Sequence, residues 1–142
     1  MMSRNRKFDI AYIKIALMWA DLSHATRKKV GAILVKNGQI ISDGYNGTPS
    51  GFGNSCEDEK GETLWQTLHA ESNAILKCAK FGDSCDGATL YITYSPCREC
   101  SKLIAQAGIK RIVYYEEYRD LSGVDFLISL GIEVEKITNL DE

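Results

Sequence analysis

A chain of 142 residues, 44% hydrophobic and 25% charged, has the size and composition of one ordinary soluble domain, and residues 1–142 are read as such. Its formal net charge of −2 offers no overall attraction to polyanions, which argues against a nucleic-acid partner. No uninterrupted apolar run follows the basic start and none approaches membrane-spanning length, so no membrane partner is expected and the reducing cytoplasm is the expected compartment.

Residues 8–22 read as an amphipathic helix, with Ile10, Ile13, Leu17 and Met18 recurring near the helical period. Residues 30–35 are a continuous apolar run of strand length. Asn37-Gly38 signals a hairpin turn, and residues 40–45 return antiparallel. Residues 46–54, dense in turn formers, form a loop. A helix over 62–80 carries His69-Ala70-Glu71; if it starts near Thr63, His69 lies in its second turn. The strand 88–93 runs into Ser95-Pro96, and Pro96 fits the opening of a helix over 97–107 that Gly108 stops. A strand over 111–115, a short helix over 123–130 and a strand over 132–137 complete the chain. A helical connection between the last two strands implies a right-handed crossover and parallel pairing. The expected fold is α/β, a three-layer α/β/α sandwich with a mixed five-stranded sheet, its site at the carboxyl edge of the strands.

The chemistry concentrates in two short stretches. Cys97 and Cys100, three apart at a helix start, can both reach one ion, and the positive end of the helix dipole favours the thiolates that bind metal. His69 supplies a third ligand. Two cysteines and one histidine leave the fourth position of zinc open, as catalytic sites do. Glu71 need not bind the ion and is placed to handle the protons of its bound water. On spacing alone two other readings stay open: a thiol–disulfide pair, which has no use for His-x-Glu, and a closed structural site completed by another cysteine.

His-x-Glu followed by Pro-Cys-x-x-Cys is the signature of zinc deaminases acting on nucleobases. From about residue 10 to residue 137 the chain resembles the cytidine-deaminase-like superfamily, and more closely its deoxycytidylate (dCMP) deaminases. The resemblance is carried by Thr26-Arg27-x-x-Val30-Gly31-Ala32, Gly44-Tyr45-Asn46-Gly47-Thr48-Pro49, His69-Ala70-Glu71-x-Asn73-Ala74-Ile75, Ser95-Pro96-Cys97-x-x-Cys100 and Gln106-Ala107-Gly108-Ile109-Lys110. It implies hydrolysis of dCMP to dUMP and ammonia, supplying dUMP for thymidylate synthesis, with one zinc per chain and Glu71 as proton carrier. It places the pyrimidine over His69, with backbone groups of Ala70 and Ser95 near its edge, Asn46 on the sugar and Tyr118 on base or sugar. Thr26 and Arg27, a hydroxyl and a forked guanidinium, suit the phosphate, a solvated basic turn being the plainer alternative.

The resemblance also implies a homohexamer activated by dCTP and inhibited by dTTP, with Mg2+ accompanying the effector. The residues implied are Gly44, Tyr45, Asn46, Gly47, Lys77 and Lys80, with Gly47, free to adopt positive φ, as the switching point. Relatives with a second zinc draw on the early loop and a longer insert. Here Ala25 and Thr26 stand at the matching early positions and only His24 and Cys56 are left, so one zinc is expected. A tRNA adenosine deaminase shares the zinc motif, but the mild acidity of the chain argues against it. A zinc-dependent binding module would have no need of Glu71.

Overall fold

A computed structural model describes residues 4–141. The first helix, α1 (Arg4–Ala20), starts earlier than the apolar period suggests and stops at Ala20, where backbone turns take over. The hairpin β1 (Gly31–Lys36) and β2 (Gln39–Tyr45) follows, with Asn37 at φ 53° and Gly38 at φ 75°. Those paired positive values are what a two-residue turn matched to the strand twist requires. Next come α2 (Ala70–Lys80), β3 (Thr89–Tyr94), α3 (Arg98–Gln106), β4 (Arg111–Glu116), α4 (Ser122–Ser129) and β5 (Glu133–Lys136).

The strand order is β2-β1-β3-β4-β5. β1 pairs antiparallel with both β2 and β3, while β3–β4 and β4–β5 are parallel, so the sheet is mixed. Side chains alternate between its faces. Ile33, Val35, Tyr91 and Val113 pack on Ile10, Ile13 and Ala16 of α1. Ala32, Leu34, Leu90, Ile92 and Ile112 pack on Ala70, Ala74, Ile104 and Leu127 from the three later helices. The result is the expected three-layer sandwich. One feature of the α1 face left no mark in the sequence pattern. Asp9 is buried and takes a bidentate pair from Arg111 (2.9 and 2.8 Å) and a hydroxyl bond from Tyr91 (2.6 Å). That network pins α1 across β3 and β4.

One element differs from expectation in a way that matters. The helix expected over 62–80 starts only at Ala70. Residues 56–68 spend their backbone groups on one another and on the preceding loop. Leu64 N–H donates to Cys56 O (2.7 Å), Asp58 N–H to Glu62 O (2.8 Å), and Gly47 and Leu68 exchange two bonds (3.0 and 2.8 Å). Thr63, Trp65 and Thr67 are weak helix formers and give way to this pairing. His69 is therefore the N-cap, at ψ 156°, not a residue of a second turn. Similarly, α3 is capped by Cys97, so Pro96 sits just outside the helix instead of opening it.

Gly44 sets how closely α2 approaches the sheet: a Cβ there would lie 2.5 Å from Ala70 O and 2.7 Å from Ala74 N. Any side chain would push away the helix that carries Glu71.

Candidate active site

Two helix starts meet beyond the carboxyl end of β3. Residues 95–97 leave that strand and deliver Cys97 as the N-cap of α3, with Cys100 one turn on. The Cys97 sulfur accepts the Cys100 backbone N–H at 3.5 Å, satisfying one of the unpaired N–H groups of the helix start. Ser101 Oγ donates to Cys97 O at 2.8 Å, fixing the ligand's own peptide from below. His69 Nδ1 lies 3.2 Å from Cys100 Sγ and 3.5 Å from Cys97 Sγ. All three ligand atoms lie within 4.8 Å of one another. Zinc–nitrogen and zinc–sulfur bond lengths around a tetrahedral ion put such atoms about 3.5 Å apart, so the donor set fits zinc. Among the described residues, no fourth His, Cys, Asp or Glu joins the group, and His24 and Cys56 do not gather into another. The open fourth position disfavours the closed structural site.

The hydrogen bond from Cys100, then that from His69, holds the Cys97 thiol well below its ordinary pKa. The bond to Cys97 in turn raises His69 against the opposing effect of burial. Glu71, in the first turn of α2, is 4% exposed. Burial pushes its carboxyl up to about 7, against the pull of its own backbone N–H and of His69. A carboxyl near neutrality beside the ligand set is suited to pick up and release one proton.

A cavity opens over these groups, lined by His69, Ala70, Glu71, Asn46, Arg27 and Tyr118 among others. The structure thus brings most of the expected substrate residues to one place. Ala70 forms part of the floor. Tyr118 packs on Tyr94 with ring centroids 5.3 Å apart, and burial, then the negative charge of Glu71 and the two thiols, raises its phenol pKa.

Three residues expected to contact substrate also have partners within the chain. Ser95 is fully buried and its hydroxyl oxygen accepts the Tyr118 N–H at 3.0 Å, so its side chain fastens a wall of the cavity, the backbone being the part expected near the pyrimidine. Asn46 Oδ1 accepts from Val30 N (2.8 Å) and Nδ2 donates to Lys28 O (2.8 Å), which orients the amide and leaves one N–H and one lone pair for a further partner. Thr26 lies outside the cavity lining, and its N–H is bonded to Glu57.

Two residues of the site escaped the sequence reading. Lys28 places its ammonium over both aromatic rings, 4.3 Å from the Tyr94 centroid and 4.2 Å from that of Tyr118. Its signal was there, in the run Thr26-Arg27-Lys28-Lys29, but nothing in the run says which cation turns inward. Glu57 reaches the 26–27 turn from 30 residues away, and no local pattern announces it.

The residues expected to take an effector line a second groove: Gly44, Tyr45, Gly47, Lys77 and Lys80. Asn46 faces the cavity, so the chain alternates between the two sites over three residues. Lys77 is paired with Asp43 at 2.6 Å, while Lys80 makes no ion pair among the described residues. Gly47 does not use its freedom: its φ is not positive, and the paired bonds to Leu68 hold it.

Comparison with known proteins points one way. Residues 6–116 match the family described as the cytidine and deoxycytidylate deaminase zinc-binding region. The dCMP deaminase of cyanophage S-TIM5, solved in complex with dCMP and dUMP, is 51% identical with a TM-score of 0.89, over 96% of this chain and 100% of that one. The deoxycytidylate deaminase of Enterobacteria phage T4 is 36% identical over 86% of this chain and 86% of its own length. The ComE operon protein 2 of Bacillus subtilis is 42% identical over 84% of this chain and 65% of its own length.

Proposed function

This chain belongs to the cytidine and deoxycytidylate deaminases, and from that membership we propose that it hydrolyses dCMP to dUMP and ammonia. The observation that carries the reading is the buried Glu71 beside a three-ligand set of His69, Cys97 and Cys100, under a cavity rimmed with cations. The likeness to a dCMP deaminase solved with dCMP and dUMP supports it.

His69, Cys97 and Cys100 would hold the zinc. When bound, the ion lowers the pKa of water to about 7 and so supplies a nucleophile at neutral pH. Glu71 accepts the proton of the attacking water and delivers it to ring N3 as the C4–O bond forms. It then takes the remaining proton from the new C4 hydroxyl and passes it to the amino group, so that the C4 carbonyl forms as the C4–N bond breaks and ammonia leaves. Ala70 and the Tyr118 ring hold the pyrimidine against His69, and the Ser95–Tyr118 bond keeps that wall in place. Asn46 shapes the sugar end through its hold on Lys28 and Val30. Thr26, Arg27 and Lys28 surround the phosphate end.

The groove beside β2 and α2 is read as an effector site for dCTP and dTTP, with Mg2+, in a homohexamer. A cytoplasmic location belongs to the same reading. Among the described residues no helix is long and apolar enough to cross a membrane. Lys80, unpaired, is available to a triphosphate, and Asn46 links groove to cavity. Such coupling typically amounts to about 1–3 kcal/mol. A Lys80→Glu variant should respond less to both nucleotides and keep its dCMP turnover; hyperbolic kinetics indifferent to both nucleotides in the wild type would remove the effector site.

The reaction itself is tested by following ammonia release with dCMP, cytidine, deoxycytidine and a tRNA anticodon stem. Turnover of dCMP far above the others is expected. Turnover of the RNA instead would overturn the reading.

A further inference from the structure

The groups expected to meet a phosphate are already holding an anion. Thr26 N–H and Arg27 N–H, consecutive along the chain, donate to the same carboxylate oxygen, Glu57 Oε2, at 3.0 and 3.2 Å. These bonds, with the Thr26 side chain and the Arg27 charge nearby, hold the Glu57 carboxyl below its usual range. Successive backbone N–H groups converging on one point form an anion nest. Hydroxyl, amide and guanidinium donors are also what a phosphate oxygen takes. Glu57 and Arg27 line the same cavity as His69, Glu71 and Tyr118, so the nest, with Thr26 just behind the lining, lies at the wall of the cavity that holds the reacting groups.

A phosphate dianion and a carboxylate cannot share one nest, because like charges in contact repel strongly away from bulk water. Glu57 is free to leave. Its backbone is fixed separately, by the Ser55 hydroxyl donating to Glu57 O (2.9 Å) and by the bridge to Thr63. Its half-exposed carboxylate has no hydrogen-bond partner outside the 26–27 turn among the described residues.

We propose that Glu57 is an internal occupant of the substrate's phosphate site, displaced when a nucleoside monophosphate binds, and that by competing for the nest it limits how strongly the enzyme favours phosphorylated over bare nucleoside. The proposal rests on the reading of the chain as a nucleoside monophosphate deaminase. A bare nucleoside leaves Glu57 in its nest and gains nothing there. A monophosphate replaces one carboxylate with a group of higher charge that Arg27 and Lys28 can both reach.

The test is Glu57→Gln, which keeps the shape and removes the charge. In the zinc-loaded protein the KM for dCMP should fall about tenfold, the scale of weakening one charged hydrogen bond, with kcat unchanged. Deoxycytidine kinetics should not move, and inorganic phosphate should become a stronger competitor. A KM that rises equally for dCMP and deoxycytidine would show Glu57 to be a structural clip and overturn the proposal.

A measurement on the wild type stands apart from the variant's folding and from catalysis. Titration with inorganic phosphate, at matched ionic strength in chloride, should shift the Thr26 and Arg27 amide resonances. Unmoved amides overturn the proposal even if dCMP is turned over. Shifted amides in a protein that ignores dCMP would sustain the anion site and sink the assigned reaction.

Discussion

The two ends of the cavity are built on different plans. At the chemical end, His69 and Glu71 lie two residues apart at one helix start, Cys97 and Cys100 three apart at another. Ala70, Glu71 and Cys100 are all buried, and the cap bond and the Ser101 bond fix the ligands locally. At the end proposed to take the phosphate, Thr26, Arg27 and Lys28 are exposed on a segment without regular structure. Their geometry depends on Glu57, Asn46 and two tyrosines brought in from elsewhere. The lesson is a division of labour: groups that must not move are held by helix starts, and groups that must admit a ligand are held by contacts that can be exchanged.

Damage to the chemical end should therefore be absolute, and damage to the phosphate end should depend on the substrate. Cys97→Ala gives the largest effect expected. It removes a ligand, the α3 cap and the partner that perturbs His69. Metal analysis should show the zinc lost, and activity and thermal stability should fall together, since ligand binding also joins two helices. A variant that retained a full zinc equivalent would remove Cys97 from the ligand set.

Glu71→Gln comes next. It should keep zinc and fold while turnover of dCMP and of deoxycytidine drops by the same factor, roughly 10²–10⁴. The equality is the informative part, because a proton carrier serves every substrate alike. Near-normal turnover in the zinc-loaded variant would take Glu71 out of the mechanism.

The same contrast separates what is legible in the sequence from what is not. The metal ligands, Glu71, the hairpin at Asn37-Gly38 and the alternation that builds the sheet are local patterns, and local patterns survive in sequence. The start of α2 at Ala70 is not legible, because Leu64 and Leu68, four apart, keep a helical spacing through the preceding segment. What decides that segment's shape is pairing with Gly47 and Cys56. Asn46 is legible as a cavity residue from its motif, but its two amide bonds to Lys28 and Val30 are tertiary facts with no spacing of their own. Glu57, and the buried Asp9–Arg111 pair 102 residues apart, are invisible for the same reason.

Arg27→Ala tests the other half of the comparison. Its guanidinium is exposed and lies 3.8 Å from Glu62, an ion pair too open to matter much to stability. Loss of one charged hydrogen bond should lower kcat/KM for dCMP by roughly 10–150-fold and leave any slow deoxycytidine turnover unchanged. Equal losses on both substrates would mean that Arg27 supports the cavity wall, and the division between the two ends would fail at that residue.

The smallest effect is expected at Lys28, and it sharpens the comparison most finely. Its ammonium sits over two tyrosine rings that themselves wall the cavity, so it belongs half to each end. A cation over aromatic faces is worth about 0.5–2 kcal/mol, roughly 2–30-fold when converted to a rate or binding ratio. Lys28→Met keeps most of the side chain's length and its packing on the rings but removes the charge. If Lys28 acts on the phosphate, dCMP should lose that factor in kcat/KM and deoxycytidine should lose nothing. If its work is to hold Tyr94 and Tyr118 in place, both substrates should lose it together, and the melting temperature should fall with them. The first result is expected, because methionine can itself pack on aromatic rings and so preserve the wall.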